Sequence, residues 1–178
     1  MNKMTPKQKE MYFRLSYDYW IDWKTKPDAE KLPLERLGCY VNVFSMLENR
    51  IRVFYWTASY YEPFSSVFVR SGKWRDISKK EYESFSNDSY PPNSPVVTIK
   101  HMLNLLKIRN FSNSEFKLLN DVIDFRGDIS HQSMFKMDEI TAEIIDELLS
   151  CFRFVDKSLK QRRRFYLRRE KQQREKKE

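Results

Sequence analysis

Arg126-Gly127-Asp128-Ile129-Ser130-His131 places one of the chain's two histidines five positions after an arginine. An arginine holds a phosphate through paired N–H donors. A histidine titrates near neutrality and can move a proton. Together they suit cleavage of RNA by its own 2′-hydroxyl. A base takes the 2′-proton, an acid protonates the leaving 5′-oxygen, and a cation stabilises the phosphorane. His131 is the candidate acid or base and Arg126 the candidate cation. One copy supplies a single proton-transfer group. Two copies on a two-fold axis supply two, so the enzymatic reading implies a homodimer. Asp128 is placed to orient the imidazole, and Ser130 to bind phosphate or cap a turn. In a straight helix, residues five apart lie about 140° apart around the axis. Gly127 is therefore expected to bend or end the helix and aim both side chains at one cleft. The competing reading is an ordinary histidine in an interhelical turn.

The elements that must position this pair are helical. Thr5-Pro6-Lys7-Gln8 reads as a capped start for a helix to about Trp23, with Tyr12, Leu15, Tyr19 and Trp20 along one face. From Leu34 to about Tyr61, Leu37, Val41, Phe44, Leu47 and Ile51 recur at steps of three and four. Residues 62–97 are rich in Ser, Pro, Asn and Tyr and read as a surface insertion. Within it, Ser65 to Val69 is a possible strand, and Ser78 a possible cap for a short helix through Phe85. Thr98 caps the next helix, and Ser112-Asn113-Ser114-Glu115 is a capping box for the one that leads to Arg126. A final helix is predicted to begin near Met137 or Asp138, with Ile140, Ile144, Ile145, Leu148, Leu149, Phe152 and Val155 as its buried stripe. The predicted fold is all-α: an up-and-down bundle of four to five main helices in residues 1–156. It carries an irregular insertion and a basic helical extension over 157–178.

Composition narrows the function classes. The chain has 178 residues, 15% aromatics and only three glycines. That favours packed helices over a glycine-loop nucleotide site. No run of about 18 apolar residues is present, so no membrane segment is expected. The first residues lack the apolar core of a secretory signal, which predicts a cytoplasmic protein. Cys39 and Cys151 stand alone without zinc-ligand spacing, so buried reduced thiols and no metal or cofactor are expected. From Lys157 to the end there are eleven Lys/Arg and three Asp/Glu, a surplus equal to the net charge of +8. This extension, with Arg162, Arg163, Arg164, Arg168 and Arg169, favours polyanions, or else is a solvated helix end. Trp74, between Lys73 and Arg75, is a candidate base-stacking residue. Trp20, Trp23 and Trp56 read as core or interface, and His101 as structural. Glu48 faces two readings, a supporting carboxylate of the site or the partner of Arg52 four residues on.

The segment from Leu118 to His131 resembles the signature of the HEPN superfamily: an apolar helix leading into Arg, four to six residues, then His. Phe44 to Arg52 is similar to that family's long early helix, which often carries Leu-Glu followed by Arg. The resemblance spans roughly residues 34–156. It implies a helical bundle in which Arg126 and His131 of two protomers form a composite site. It also implies a metal-independent endoribonuclease of the toxin or antiviral (abortive-infection) kind, acting on RNA and open to control by an antitoxin or regulatory protein. The family also contains non-catalytic modules that bind nucleic acid or protein. Gly127 stands where these proteins commonly have a polar residue. Ser133 stands where one toxin branch has a modified tyrosine, so that feature does not carry over.

Overall fold

Helix-forming periodicity and side-chain caps account for most of the architecture. The computed structural model describes residues 6–61, 66–68, 74–76, 79 and 98–176. These form five long helices: α1 (Pro6–Thr25), α2 (Pro33–Tyr61), α3 (Ile99–Asn110), α4 (Asn113–Lys136) and α5 (Ala142–Glu175). The fold is an all-α helical bundle, as the sequence predicts. Thr98, Ser112 and Thr141 cap α3, α4 and α5, each accepting from a backbone N–H three residues on. Ser112 and Glu115 form the reciprocal capping box, with Glu115 Oε2 accepting from the Ser112 N–H at 2.8 Å. The expected Thr5 cap and the short helix after Ser78 fall on residues outside those described, apart from Lys79.

α2 is the axis of the bundle. Its residues Val53 to Ser59 are all buried, so neighbours surround this stretch of the helix. α5 packs along it and contributes Ile145, Leu148, Leu149, Val155 and Leu159 to the core. α1 lies across α5: the indole N–H of Trp20 donates to Asp146 at 3.1 Å, and Arg153 donates to the Tyr17 hydroxyl at 2.9 Å. α3 and α4 form an antiparallel pair, pinned by the ion pair of Lys100 with Asp124. Among the described residues, no helix is long and apolar enough to cross a membrane.

The strand expected over Ser65 to Val69 is β1 (Ser66–Phe68), which pairs antiparallel with β2 (Trp74–Asp76), Val67 opposite Arg75. Three expectations are corrected. The last helix starts at Ala142 and not near Met137. Met137–Glu139 is a 3-10 turn, and Thr141 is the true cap. On α1 the predicted face divides, with Trp20 and Trp23 buried while Tyr12, Leu15 and Tyr19 stay exposed. Finally, α4 runs unbroken through Gly127 and His131 to Lys136. Neighbouring helix-formers outweigh the weak preference of one glycine, whose cost is about 1 kcal/mol.

The expected boundary between residues 156 and 157 falls inside α5, which continues as one helix. Leu159 and Tyr166 are buried beyond that point, and Tyr166 stacks on Tyr61 with centroids 4.5 Å apart.

Candidate functional site

Arg126 projects from α4 at the mouth of a pocket of about 360 Å³ between α4 and α2. Tyr40, Phe44 and Glu48 line it from α2 at successive steps of four, which stacks them along one helix face. Ile129, one turn after Arg126, supplies the α4 wall. The Arg126 side chain is exposed, and its guanidinium lies 5.6 Å from the centre of the Phe44 ring. The attraction between cation and ring face orients it without neutralising it. A solvent-facing guanidinium of this kind is available to an incoming phosphate.

Beneath Arg126 the pocket floor is apolar. Tyr40 is buried, donates to the Val122 carbonyl at 3.4 Å, and meets Phe125 edge-on at 5.7 Å. Burial pushes its phenol well above the ordinary tyrosine range, with the nearby Arg126 charge opposing the shift. Tyr40 therefore stays neutral at any physiological pH and acts as a wall. Glu48 supplies the carboxylate of the pocket. Its Oε1 accepts from Arg52 Nη2 at 2.6 Å and from Nε at 3.2 Å. The salt-bridge reading of Glu48 is thus correct, and the residue also shares the pocket with Arg126. The signal for Tyr40 was readable as the Tyr40–Phe44–Glu48 spacing, but the longer apolar stripe of α2 concealed it.

His131 leaves α4 at a different angle from Arg126. Because α4 is unbroken, His131 lies about 140° around the axis from Arg126, whereas Ser130 lies nearly below Arg126. The side chains of Asp128, Ser130 and His131 lie outside the described residues. So do Lys73 and the side chains of Trp74 and Arg75, whose backbones belong to β2. His101 is exposed near the start of α3, where its backbone N–H bonds to Thr98. Trp20, Trp23 and Trp56 are core residues, as expected.

The arginines of α5 fall into two groups. Arg162 is half-buried and its Nε donates to Asn110 at 2.7 Å, tying α5 to the end of α3. Arg163 is also half-buried. Arg164, Arg168 and Arg169 are exposed. Together with the exposed Arg174, this second group offers solvated charge to a polyanion.

Cys39 and Cys151 are free, buried thiols. Burial pushes them up to about 11 and about 12, so neither is a nucleophile near neutrality. Among the described residues, no group of three or more His, Cys, Asp or Glu is arranged to hold a metal ion. No family model, no curated protein and no solved structure matches this chain.

Proposed function

We propose that this chain is a metal-independent endoribonuclease of HEPN type, acting as a homodimer in the cytoplasm as a toxin or antiviral effector. The observation that carries the reading is the exposed Arg126 guanidinium at the rim of the α2–α4 pocket, on the helix that also bears His131. The helical phase separates the two residues within one protomer. A pair of α4 helices facing across a two-fold axis would set the Arg126 of one copy beside the His131 of the other. One His131 takes the 2′-proton, and the 2′-oxygen attacks phosphorus. The bond to the 5′-oxygen breaks, and the second His131 protonates that oxygen. Arg126 stabilises the charge on the phosphorane. The products are a 2′,3′-cyclic phosphate and a free 5′-hydroxyl. No cofactor takes part in this scheme.

The test is RNA cleavage in EDTA, with end-group analysis of the products. Arg126→Ala and His131→Ala should each lower the rate by roughly 10²–10⁴-fold. Cleavage that depends on added Mg²⁺, or that survives both substitutions, refutes the reading.

The exposed Arg164, Arg168 and Arg169 favour a second reading, a non-catalytic module that holds nucleic acid or a partner protein, an antitoxin included. RNA binding would then be lost on removing residues 160–178 and keep its strength in His131→Ala.

A further inference from the structure

Large apolar side chains left exposed among the described residues concentrate in two places. One is the outer face of α1 with the adjoining start of α2, where Tyr12 is 53%, Leu15 55% and Leu34 69% exposed. The other is the end of α5, where Phe165 is 50% and Leu167 60% exposed. An apolar face of the first kind is unusual on a free surface and marks a docking site. The two places carry opposite charge. Asp18 and Asp22 line a groove of about 710 Å³ between α1 and α2, together with Tyr12, Leu15 and Tyr19. Opposite the buried Tyr166, α5 presents Arg164, Arg168 and Lys171 as an exposed ridge, flanked by Phe165 and Leu167.

We infer that the basic end of α5 docks in the α1–α2 groove of a second copy of this chain. Dimensions and charge agree. From Tyr12 to Asp22 the groove follows about 15 Å of α1, and α5 extends about 13 Å past Tyr166. Asp18 and Asp22 are one turn apart, as are Arg164 and Arg168, so two ion pairs form in register. Phe165 and Leu167 then cover the tyrosines and Leu15, burying apolar surface that both partners otherwise expose. Gly38 leaves the groove open, because a side chain there would project into unoccupied space. The same molecule cannot fill its own groove. Tyr166 is held on Tyr61 at the far end of α2, about 35 Å along that helix from Gly38.

Isotope-mixed cross-linking tests the contact. Unlabelled and nitrogen-15 protein are mixed and coupled with a zero-length carbodiimide, which joins carboxylates to amines. Mixed-isotope peptides joining Asp18 or Asp22 to Lys171 are expected, with the yield falling about tenfold or more near 1 M salt. Asp18→Lys with Asp22→Lys should abolish self-association through this contact, as should Arg164→Glu with Arg168→Glu. An equimolar mixture of the two charge-reversed proteins should restore it, because a basic groove then meets an acidic ridge. Absence of the mixed-isotope link, or a charge-reversed mixture no more associated than its components, overturns the proposal. An extension that takes RNA alone would give ridge-dependent RNA binding with no such link, and that also overturns it. No arm reads RNA cleavage, so the ribonuclease reading stands or falls separately.

Discussion

Replacing Gly127 with alanine should stabilise the protein, and the reason lies in the continuity of α4. Gly127 sits within a 24-residue helix in right-handed conformation. Glycine in a helix interior costs about 0.8–1.0 kcal/mol relative to alanine, because it gives up more backbone freedom on folding. An added Cβ would meet no heavy atom within 4 Å beyond the helix itself, so no packing penalty offsets this gain. Gly127→Ala should therefore gain about 1 kcal/mol, or about 2–4 °C in Tm for a domain of this size. Gly127→Pro should lose about 3 kcal/mol or more, since it removes a helical hydrogen bond and clashes with the preceding turn. Urea unfolding followed by circular dichroism measures both, with an unchanged m-value showing that the denatured state is the same. If Gly127→Ala destabilises, or if proline is tolerated, the chain breaks at Gly127 and the 140° separation of Arg126 and His131 is wrong. Cleavage by a ribonuclease of the proposed kind should survive Gly127→Ala, because the helical phase of both residues is kept.

Ser112→Ala should cost about 1 kcal/mol, read by thermal unfolding, because it breaks both halves of the α4 capping box. Cys39 and Cys151 should resist alkylation in the native protein at neutral pH and react once it is unfolded. Their raised folded pKa values also set a sign. The stability they contribute is complete below the thiol's unfolded value near 9 and is lost as pH rises toward about 11–12, measurable as a falling urea midpoint. Asp146→Ala should cost about 1–2 kcal/mol by leaving the buried Trp20 indole N–H without its acceptor. Burial pushes the Asp146 carboxyl up, but hydrogen bonds from Lys24 and Trp20 outweigh it and hold the group below its ordinary value. That contribution is present above the unfolded carboxyl pKa and disappears as pH falls through the folded one, so wild type and variant should converge in acid.

Helix starts were legible because their signals are local. Thr98 and the Ser112–Glu115 box cap helices through atoms three residues away, which a short window of sequence contains. Thr141 carries the same signal, but the acidic Asp138 and Glu139 offered a rival start, and Ile140, buried outside any helix, extended the apparent stripe. Periodicity on α1 was legible as amphipathicity without revealing its direction. Tyr12, Leu15 and Tyr19 recur at helical spacing yet stay exposed, since the side bearing Trp20 and Trp23 is buried, with Trp20 against α5 and Trp23 beside Arg36 of α2. The candidate site was half legible. Arg126 and Glu48 stand out by residue type, but their meeting in one pocket depends on how α4 lies on α2, a relation between segments about 80 residues apart. Gly127 misled for the converse reason: a local preference worth about 1 kcal/mol decides little inside a helix fastened at many points.

The pairing of α1 with α5 also sets a schedule for biosynthesis. Trp20 is separated from Asp146 by 126 residues, and the burial of α2 on all sides depends on α5 as well. During synthesis, α1 and α2 emerge long before the helix that covers them. At about 5–20 residues per second, the nascent chain carries its tryptophans and the apolar flank of α2 in water for several seconds. The α3–α4 pair, by contrast, joins neighbours in sequence and can close as soon as it clears the ribosome exit. Folding of this bundle therefore reaches completion only when α5 arrives. Until then the apolar faces of α1 and α2 that α5 covers stay open to aggregation.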